Sequence, residues 1–272
     1  MNGRGYIGGS SIPGILGVSP FRTPLDEYLN ITGEADTSPS PEDRAFFDDR
    51  KEWEPIAFKR FERVTGMKIL RTNVRYDDPN LPWAKAEIDF EPSDVDNGET
   101  KTSRPELAYQ WGVPGVDEPP LYVTAQAMWG LGVTRHLGKQ HTYVQRFGLD
   151  ENDIYHVDAD DALIIDIRDR AAFFWKHHIE KRRPPQPSTL DDVLKLYGRG
   201  TDRAVEASDD IKDALEARAK AMNTIAIHDA IKLQAELEIK KFMRDASVLT
   251  IGGRVVATWK ADVRGIRTFR TK

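Results

Sequence analysis

The chain has 272 residues, 39% hydrophobic and 31% charged, with a net charge of −5 and no cysteine. That balance suits a soluble globular domain, alone or with an appendage, rather than a disordered chain. It excludes disulfides, thiol catalysis, iron–sulfur clusters and zinc ribbons, and no stretch approaches the roughly 18 consecutive apolar residues of a membrane span. The opening MNGRGYIGGSS lacks the apolar core of a secretory signal, so the expected location is the cytoplasm. Charge is unevenly spread: residues 1–200 carry 25 basic and 33 acidic side chains, residues 201–272 carry 14 and 11. An ordinary acidic cytosolic protein has this balance. So does an enzyme that gathers carboxylates around a metal and grips DNA through local basic patches.

In chain order, IGGSSIPGILGVSPFRTP is punctuated by Gly and Pro, with a short turn where Ile12, Ile15 and Leu16 share a face. Pro24–Ile31 reads as a helix opened by its proline and stopped by Gly33. ADTSPSPED is a loop. From Asp43 to Thr65, Phe46, Trp53, Ile56, Ala57, Phe61 and Val64 recur at helical spacing until Gly66 ends the run. The period then changes to two. Met67–Tyr76 and Trp83–Phe90 read as strands, and Asp96–Gly98 (DNG) as a hairpin turn leading into ETKTS. Arg104–Trp111 is predicted helical, as is Leu121–Leu137 despite Gly130 and Gly132. Thr142–Leu149 and Ile154–Asp158 pair as strands around LDEND, and Asp160–Lys181 is a long amphipathic helix that RRPPQP must end. RRPPQPS marks the expected boundary between a domain over 1–187 and an appendage over 188–272. The appendage reads as a short helix over Leu190–Tyr197, a long charged helix over Ala204–Asp245 and a hairpin turning at Gly252-Gly253.

The chemistry concentrates at Asp89 and, ten residues on, Glu99-Thr100-Lys101. Cutting a phosphodiester calls for a hard dication that offsets charge on the phosphoryl oxygens and lowers the pKa of an attacking water. Magnesium takes oxygen ligands, commonly one or two carboxylates with phosphate and water. Asp89 closing one strand and Glu99 opening its hairpin partner can converge on one ion. Glu99 and Lys101, two apart on a strand, face the same way, and the Thr100 carbonyl between them is a further candidate ligand. Acid-x-Lys also occurs at Asp49–Lys51, Asp210–Lys212 and Glu238–Lys240, but in predicted helices, where residues two apart do not share a face. Spacing alone leaves a metal site and a solvated hairpin edge equally open.

Several motifs in order resolve that choice. Residues 5–187 resemble the YqaJ-type viral recombinase nucleases, relatives of lambda-type exonucleases within the PD-(D/E)xK superfamily. The resemblance is carried by IGGSSIPGILGVSPFRTPLDEYLNITG, Trp53-Glu54-Pro55, PWAKAEIDF, GETKTS, LYVTAQAMW and FFWKHHIEKRRPP. It implies an α/β restriction-endonuclease-like core, a mixed central sheet flanked by helices, to which this chain adds its C-terminal helix and hairpin. It implies that Asp89 and Glu99 bind Mg²⁺, with Mn²⁺ as a substitute, that Lys101 assists the water and that Glu54 reaches the metal or its water from a helix. Gln126 would contact the reacting phosphate or nucleophile, with Tyr122 one turn earlier on the same face. Ser10 matches a serine that helps bind a 5′-phosphate, and Arg4 lies near the corresponding arginine but out of clean register. The implied activity is degradation of duplex DNA from its ends, 5′ to 3′, leaving 3′ single strands for a single-strand annealing protein. A homo-oligomer is a further implication. Gly98 and the polar Thr100 depart from the family pattern and predict a less buried strand, while Glu87 is either an extra ligand or solvent-facing.

Other residues read more plainly. Trp53 and Trp129 suit the core better than a base-stacking platform. The six histidines show no metal spacing, and His177-His178 face different ways on a helix. Gly132–Lys139 has one residue too many for a phosphate loop, and Gln140 follows the lysine. The appendage could pack on the core, pair with another subunit, or present Arg254, Lys260, Arg264, Arg267 and Arg270 to DNA. Two alternatives to the exonuclease remain from sequence: a structure-specific endonuclease of the same fold, and a non-catalytic DNA-binding or assembly protein.

Overall fold

The structure, a computed structural model, describes residues 3–34, 40–102, 109–116, 118–148 and 152–272. The helix expected at Arg104–Trp111 and the turn expected at Leu149–Asp153 lie largely outside these residues, as does the Phe46 side chain. The chain divides into two compact units, Met1–Gly200 and Thr201–Lys272.

The first unit is built on a five-stranded mixed sheet in sequential order: β1 (Arg71–Asp77), β2 (Lys85–Glu91), β3 (Asp96–Thr102), β4 (His141–Phe147) and β5 (Asn152–Asp158). β3 and β4 are parallel and the other neighbours antiparallel. The parallel step needs a crossover, which α4 (Leu121–Thr134) supplies. This helix is buried almost all round. Its glycines explain how it fits. A Cβ on Gly130 would lie 3.3 Å from Ile88 of β2, and one on Gly132 3.0 Å from Ile164. Ile164 belongs to α5 (Asp161–Phe174), which continues as a π-helical turn over Trp175–Ile179. The two glycines therefore let α4 lie close against the sheet on one side and α5 on the other. Trp129 is fully buried and donates its indole N–H to the Lys85 carbonyl at 2.8 Å.

The opposite face of the sheet is covered by α3 (Pro41–Thr65), whose Phe61 packs on Phe90 and Tyr143 at ring separations of 4.6 and 5.6 Å. The buried amide of Gln145 on β4 donates to the Ala57 carbonyl at 2.9 Å and pins this helix one turn beyond Glu54. Glu54 itself precedes Pro55, which lacks the N–H that would close the helical bond one turn back.

Three sequence expectations are corrected. Asp96–Gly98 is not a turn but the first half of β3; the chain reverses over residues 92–95. Nor is that strand poorly buried: Asp96 to Glu99 are all buried. Gly98 is required there because a Cβ would fall 2.3 Å from the Phe90 ring. The glycine is a seat for an aromatic ring, not a sign of exposure. Trp53, expected in the core, is 39% exposed.

Before the sheet lie α1 (Ile12–Ile15) and α2 (Pro24–Thr32). α2 opens on a capping box, in which the Thr23 side chain accepts from the Asp26 N–H and Asp26 accepts from the Thr23 N–H. The helix α6 (Leu190–Tyr197) belongs to this unit as well. Its buried Asp192 accepts from Thr23 Oγ1 at 2.8 Å, and Lys195 pairs with Asp26 at 2.5 Å. The structural division thus falls after Gly200, not at RRPPQPS.

The second unit holds α7 (Asp209–Met243) and a three-stranded antiparallel sheet of β6 (Val248–Ile251), β7 (Arg254–Ala261) and β8 (Arg267–Thr271). The expected hairpin gains a third strand. Arg267 lies 3.7 Å over the Trp259 ring and donates to the Arg244 and Ala246 carbonyls, and Arg264 pairs with Asp262. Two of the five basic residues considered for DNA contact are therefore engaged within this unit.

Candidate active site

β3 carries the centre of the site. Its alternation sends Asn97, Glu99 and Lys101 toward α4: Asn97 donates to Thr134 at 3.0 Å, and Lys101 Nζ donates to Gln126 Oε1 at 2.8 Å. Gln126 in turn donates through Nε2 to Glu99 Oε1 at 2.7 Å, and Lys101 pairs with that same oxygen at 2.7 Å. Carboxylate, ammonium and amide close a three-membered ring of polar contacts. Glu99 is buried and Lys101 about a quarter exposed, so the ring sits at the edge of the core with one side open.

Asp89 joins from β2. The Thr100 N–H donates to its Oδ2 at 2.7 Å, which ties the end of one strand to the middle of the next. Upstream, Ile88 touches α4, while downstream Phe90 packs on α3. The strand thus changes the face it presents at Asp89. Opposite it, Asn73 drops out of the cross-strand register and adopts φ 53°, a left-handed conformation. The irregularity falls opposite the residue whose carboxyl bears on Glu99. Burial, and then the Glu99 charge, push the Asp89 carboxyl well above the usual range, against the Thr100 N–H and the Lys101 ammonium. Burial works against the charged form of Lys101, yet the neighbouring Glu99 and Asp89 carboxylates outweigh it and raise its pKa.

Glu54 reaches the cluster from α3. It lines a cavity of about 160 Å³ with Trp53, Ala57, Asp89, Thr100 and Phe147, and accepts from Asn73 Nδ2 at 3.5 Å. At about 30 Å³ per water, that volume holds an ion and a few waters. Asp89 and Glu54 line it with the Thr100 backbone, and Glu99, facing α4, bears on Asp89 by its charge; these oxygen donors suit a hard dication. Two of the carboxylates bear on each other in a buried place, an arrangement that a cation would relieve. The residues fit a metal.

The opening segment supplies the remaining sequence candidates. Gly9 lies against Gln126, where a Cβ would be 3.2 Å from its Cγ. Next to it, Arg4 Nη1 donates to Ser10 Oγ at 3.4 Å. Tyr122 packs edge-on to Phe21 at 5.8 Å, and burial raises its hydroxyl pKa against the opposing charge of Lys101. Gln126 closes the Glu99–Lys101 ring and Tyr122 bears on Lys101, while Ser10 and Arg4 pair with each other next to Gly9. Glu87 is not among the metal candidates, because it faces solvent and pairs with Arg75.

Sequence reading missed Glu27. This α2 residue is fully buried beneath the opening segment, accepts from Arg22 Nη1 at 3.4 Å, and burial holds its carboxyl pKa above the ordinary value. A Cβ on Gly14 would come within 2.7 Å of its Cγ. The signal was an acid at an inward position of an amphipathic helix, next to a run of small residues. Sequence reading also missed a grouping of Asp96, His141 and His156, whose ligand atoms lie within 4.8 Å of one another. These residues are too far apart in sequence to form a spacing motif.

Residues 3–136, which hold all these active-site candidates, match the family model of the YqaJ-like viral recombinase domain. Over that stretch the chain is similar to the family. The uncharacterized protein YqaJ of Bacillus subtilis (strain 168) is 24% identical over 266 residues, covering 96% of this chain and 82% of the relative. Among solved structures, the alkaline exonuclease LHK-Exo from Laribacter hongkongensis superposes with a TM-score of 0.51 at 17% identity, over 71% of this chain and 95% of that one. Its complex with dAMP gives a TM-score of 0.52 at 18% identity with the same coverage. The YqaJ-like chain therefore shares the fold of LHK-Exo, here a mixed sheet flanked by helices. Among the described residues, no helix is long and apolar enough to cross a membrane.

Proposed function

We propose that this YqaJ-like protein is a magnesium-dependent exonuclease that degrades duplex DNA from its ends, 5′ to 3′. Its 3′ single strands would then pass to a single-strand annealing protein for homologous recombination. The observation that carries the reading is the ring of Glu99, Lys101 and Gln126 beside the high-pKa Asp89. The fold it shares with an alkaline exonuclease, one solved with dAMP, supports the same reading.

Asp89, Glu99 and the Thr100 carbonyl would hold the ion, with Glu54 reaching it directly or through water. When bound, a divalent cation supplies charge neutralisation at the phosphate and a more acidic water. Lys101 stays an ammonium at neutral pH, so it acts by charge and hydrogen bonding on the attacking water and phosphate, not as a base. Gln126 holds that ammonium against Glu99, and its amide N–H would be a donor to the reacting phosphate. Water adds to phosphorus and the bond to the 3′-oxygen of the end nucleotide breaks, so the remaining strand keeps a 5′-phosphate. Ser10 and Arg4, with the N–H groups of the Gly9–Ser11 turn, would receive that phosphate and set the register of the next cut. Residues 3–200 would carry this chemistry.

The reading is tested with linear duplexes that bear a free or a blocked 5′ end. An exonuclease degrades the first and stalls on the second, and Lys101→Ala degrades neither. Cleavage of the blocked duplex at internal positions would replace this reading with that of an endonuclease.

A further inference from the structure

A second set of ligand-type side chains lies at the other end of β3, on the α3 side of the sheet. Asp96 and His141 are direct partners in the parallel β3–β4 pair, and His141 and Asp158 are direct partners in the antiparallel β4–β5 pair. His156, two residues before Asp158, shares its face by strand alternation. Three adjacent strands therefore bring two imidazoles and two carboxylates to one spot. The contacts follow this register. His141 Nδ1 is 2.9 Å from Asp96 Oδ1, and Asp158 Oδ1 lies 3.5 Å from His141 Nε2 and 3.4 Å from His156 Nδ1. The two imidazole rings are 4.7 Å apart.

The surroundings hold these groups in place. Ser93 Oγ donates to the second oxygen of Asp96 at 2.6 Å. The almost fully buried ammonium of Lys139 donates to the Asp96 carbonyl at 2.9 Å. The Tyr143 ring meets His156 edge-on at 4.9 Å. Such outer contacts orient metal ligands and raise their affinity. An open cavity lined by His141, Asp158, Arg135 and Gln140 borders the cluster, which gives an ion a way in and room for water.

We infer that Asp96, His141 and His156, with Asp158 beside them, form a second metal site for a transition dication of the zinc class. Two nitrogens with one or two carboxylate oxygens match what zinc takes, whereas magnesium avoids imidazole. The site is distinct from the Asp89–Glu99 centre: Asp96 is three residues from Glu99 and, by alternation, on the opposite face of the strand. Binding would replace the present contacts between ring nitrogens and carboxylates and draw the ligand atoms inward from their present separations. The ion would then fasten the start of β3, the strand that carries Glu99 and Lys101, to β4 and β5. None of this depends on the nuclease reading.

The test uses the full chain, stripped with a chelator and dialysed against zinc in excess magnesium, with bound metal counted by elemental analysis. We expect one zinc per chain in wild type and in Glu99→Gln. Cobalt should give the visible ligand-field bands of a nitrogen–oxygen site. Ser93→Ala should weaken zinc by about 10–100-fold, and loss of a ligand in His156→Ala by at least as much. The half-exposed His156 can be removed without opening the core, and zinc should raise the melting temperature of wild type but not of this variant. Zinc held equally by wild type and His156→Ala would overturn the inference. So would zinc lost in Glu99→Gln but kept in His156→Ala, which would assign the metal to the catalytic carboxylates.

Discussion

Lys101 on β3 and Gln126 on α4 meet at 2.8 Å, and through that contact the buried crossover helix fixes the position of the ammonium in the candidate active site. Because Gln126 also donates to Glu99, it is the only side chain described that contacts both groups in this ring. Gln126→Leu keeps the volume and removes both contacts. Single-turnover rates should fall by about 10²–10³, the range for losing one preorganised donor, with DNA affinity largely kept. An unchanged single-turnover rate would remove Gln126 from the site.

The raised Asp89 pKa makes a pH prediction with a definite sign. A carboxyl with a higher pKa in the folded state holds its proton after the unfolded chain has released it. Its contribution to stability is complete below the ordinary aspartate range and is lost as pH rises through the folded value. Metal-free wild type should therefore lose stability on that rise. Asp89→Asn should flatten the profile, and magnesium should restore stability at the upper end. Magnesium affinity should climb with pH over the same window, by up to about tenfold per unit for one displaced proton. Urea melts with and without metal check the first part and titration calorimetry the second.

Gly98→Ala tests the packing that supports β3. The new methyl would fall 2.3 Å from the Phe90 ring, and the backbone there is ordinary extended strand, so the cost is steric. A loss of about 1–3 kcal/mol is expected in denaturant unfolding, partly recovered by the double variant with Phe90→Leu. Equal stability of Gly98→Ala and wild type would show that the ring can move aside.

Ser10→Ala and Arg4→Ala address the opening segment. On duplexes with a 5′-phosphate or a 5′-hydroxyl, wild type should prefer the phosphate and both variants should lose that preference while still cutting the hydroxyl substrate. Glu27→Gln, which frees Arg22 from its buried carboxylate, should change the preference less than either. A preference that survives both alanine variants would place the phosphate elsewhere.

Much of the architecture was legible because periodicity reports directly on burial. The change from the 3.6-residue repeat of α3 to the alternation of β2 is visible in the sequence, and Glu99-x-Lys101 stood out once it fell on a strand. The failures have physical causes. DNG is turn-forming by local preference, but the Phe90 ring needed a residue without a side chain, and tertiary packing won. Trp53 has the composition of a core residue and the position of a pocket wall. Glu27 and the Asp96–His141–His156 grouping arise from register and packing between distant segments, which no local spacing encodes.

The most direct measurement is release of nucleotides from an end-labelled linear duplex by wild type, Glu99→Gln and Lys101→Ala, each in magnesium or in calcium. Wild type in magnesium should shorten the labelled strand from its 5′ end. Calcium, whose looser coordination suits the chemistry poorly, should support little turnover, and neither variant should cut in either metal. Digestion by Glu99→Gln or Lys101→Ala at the wild-type rate, or wild-type activity that persists after chelation of all divalent metal, would contradict the account.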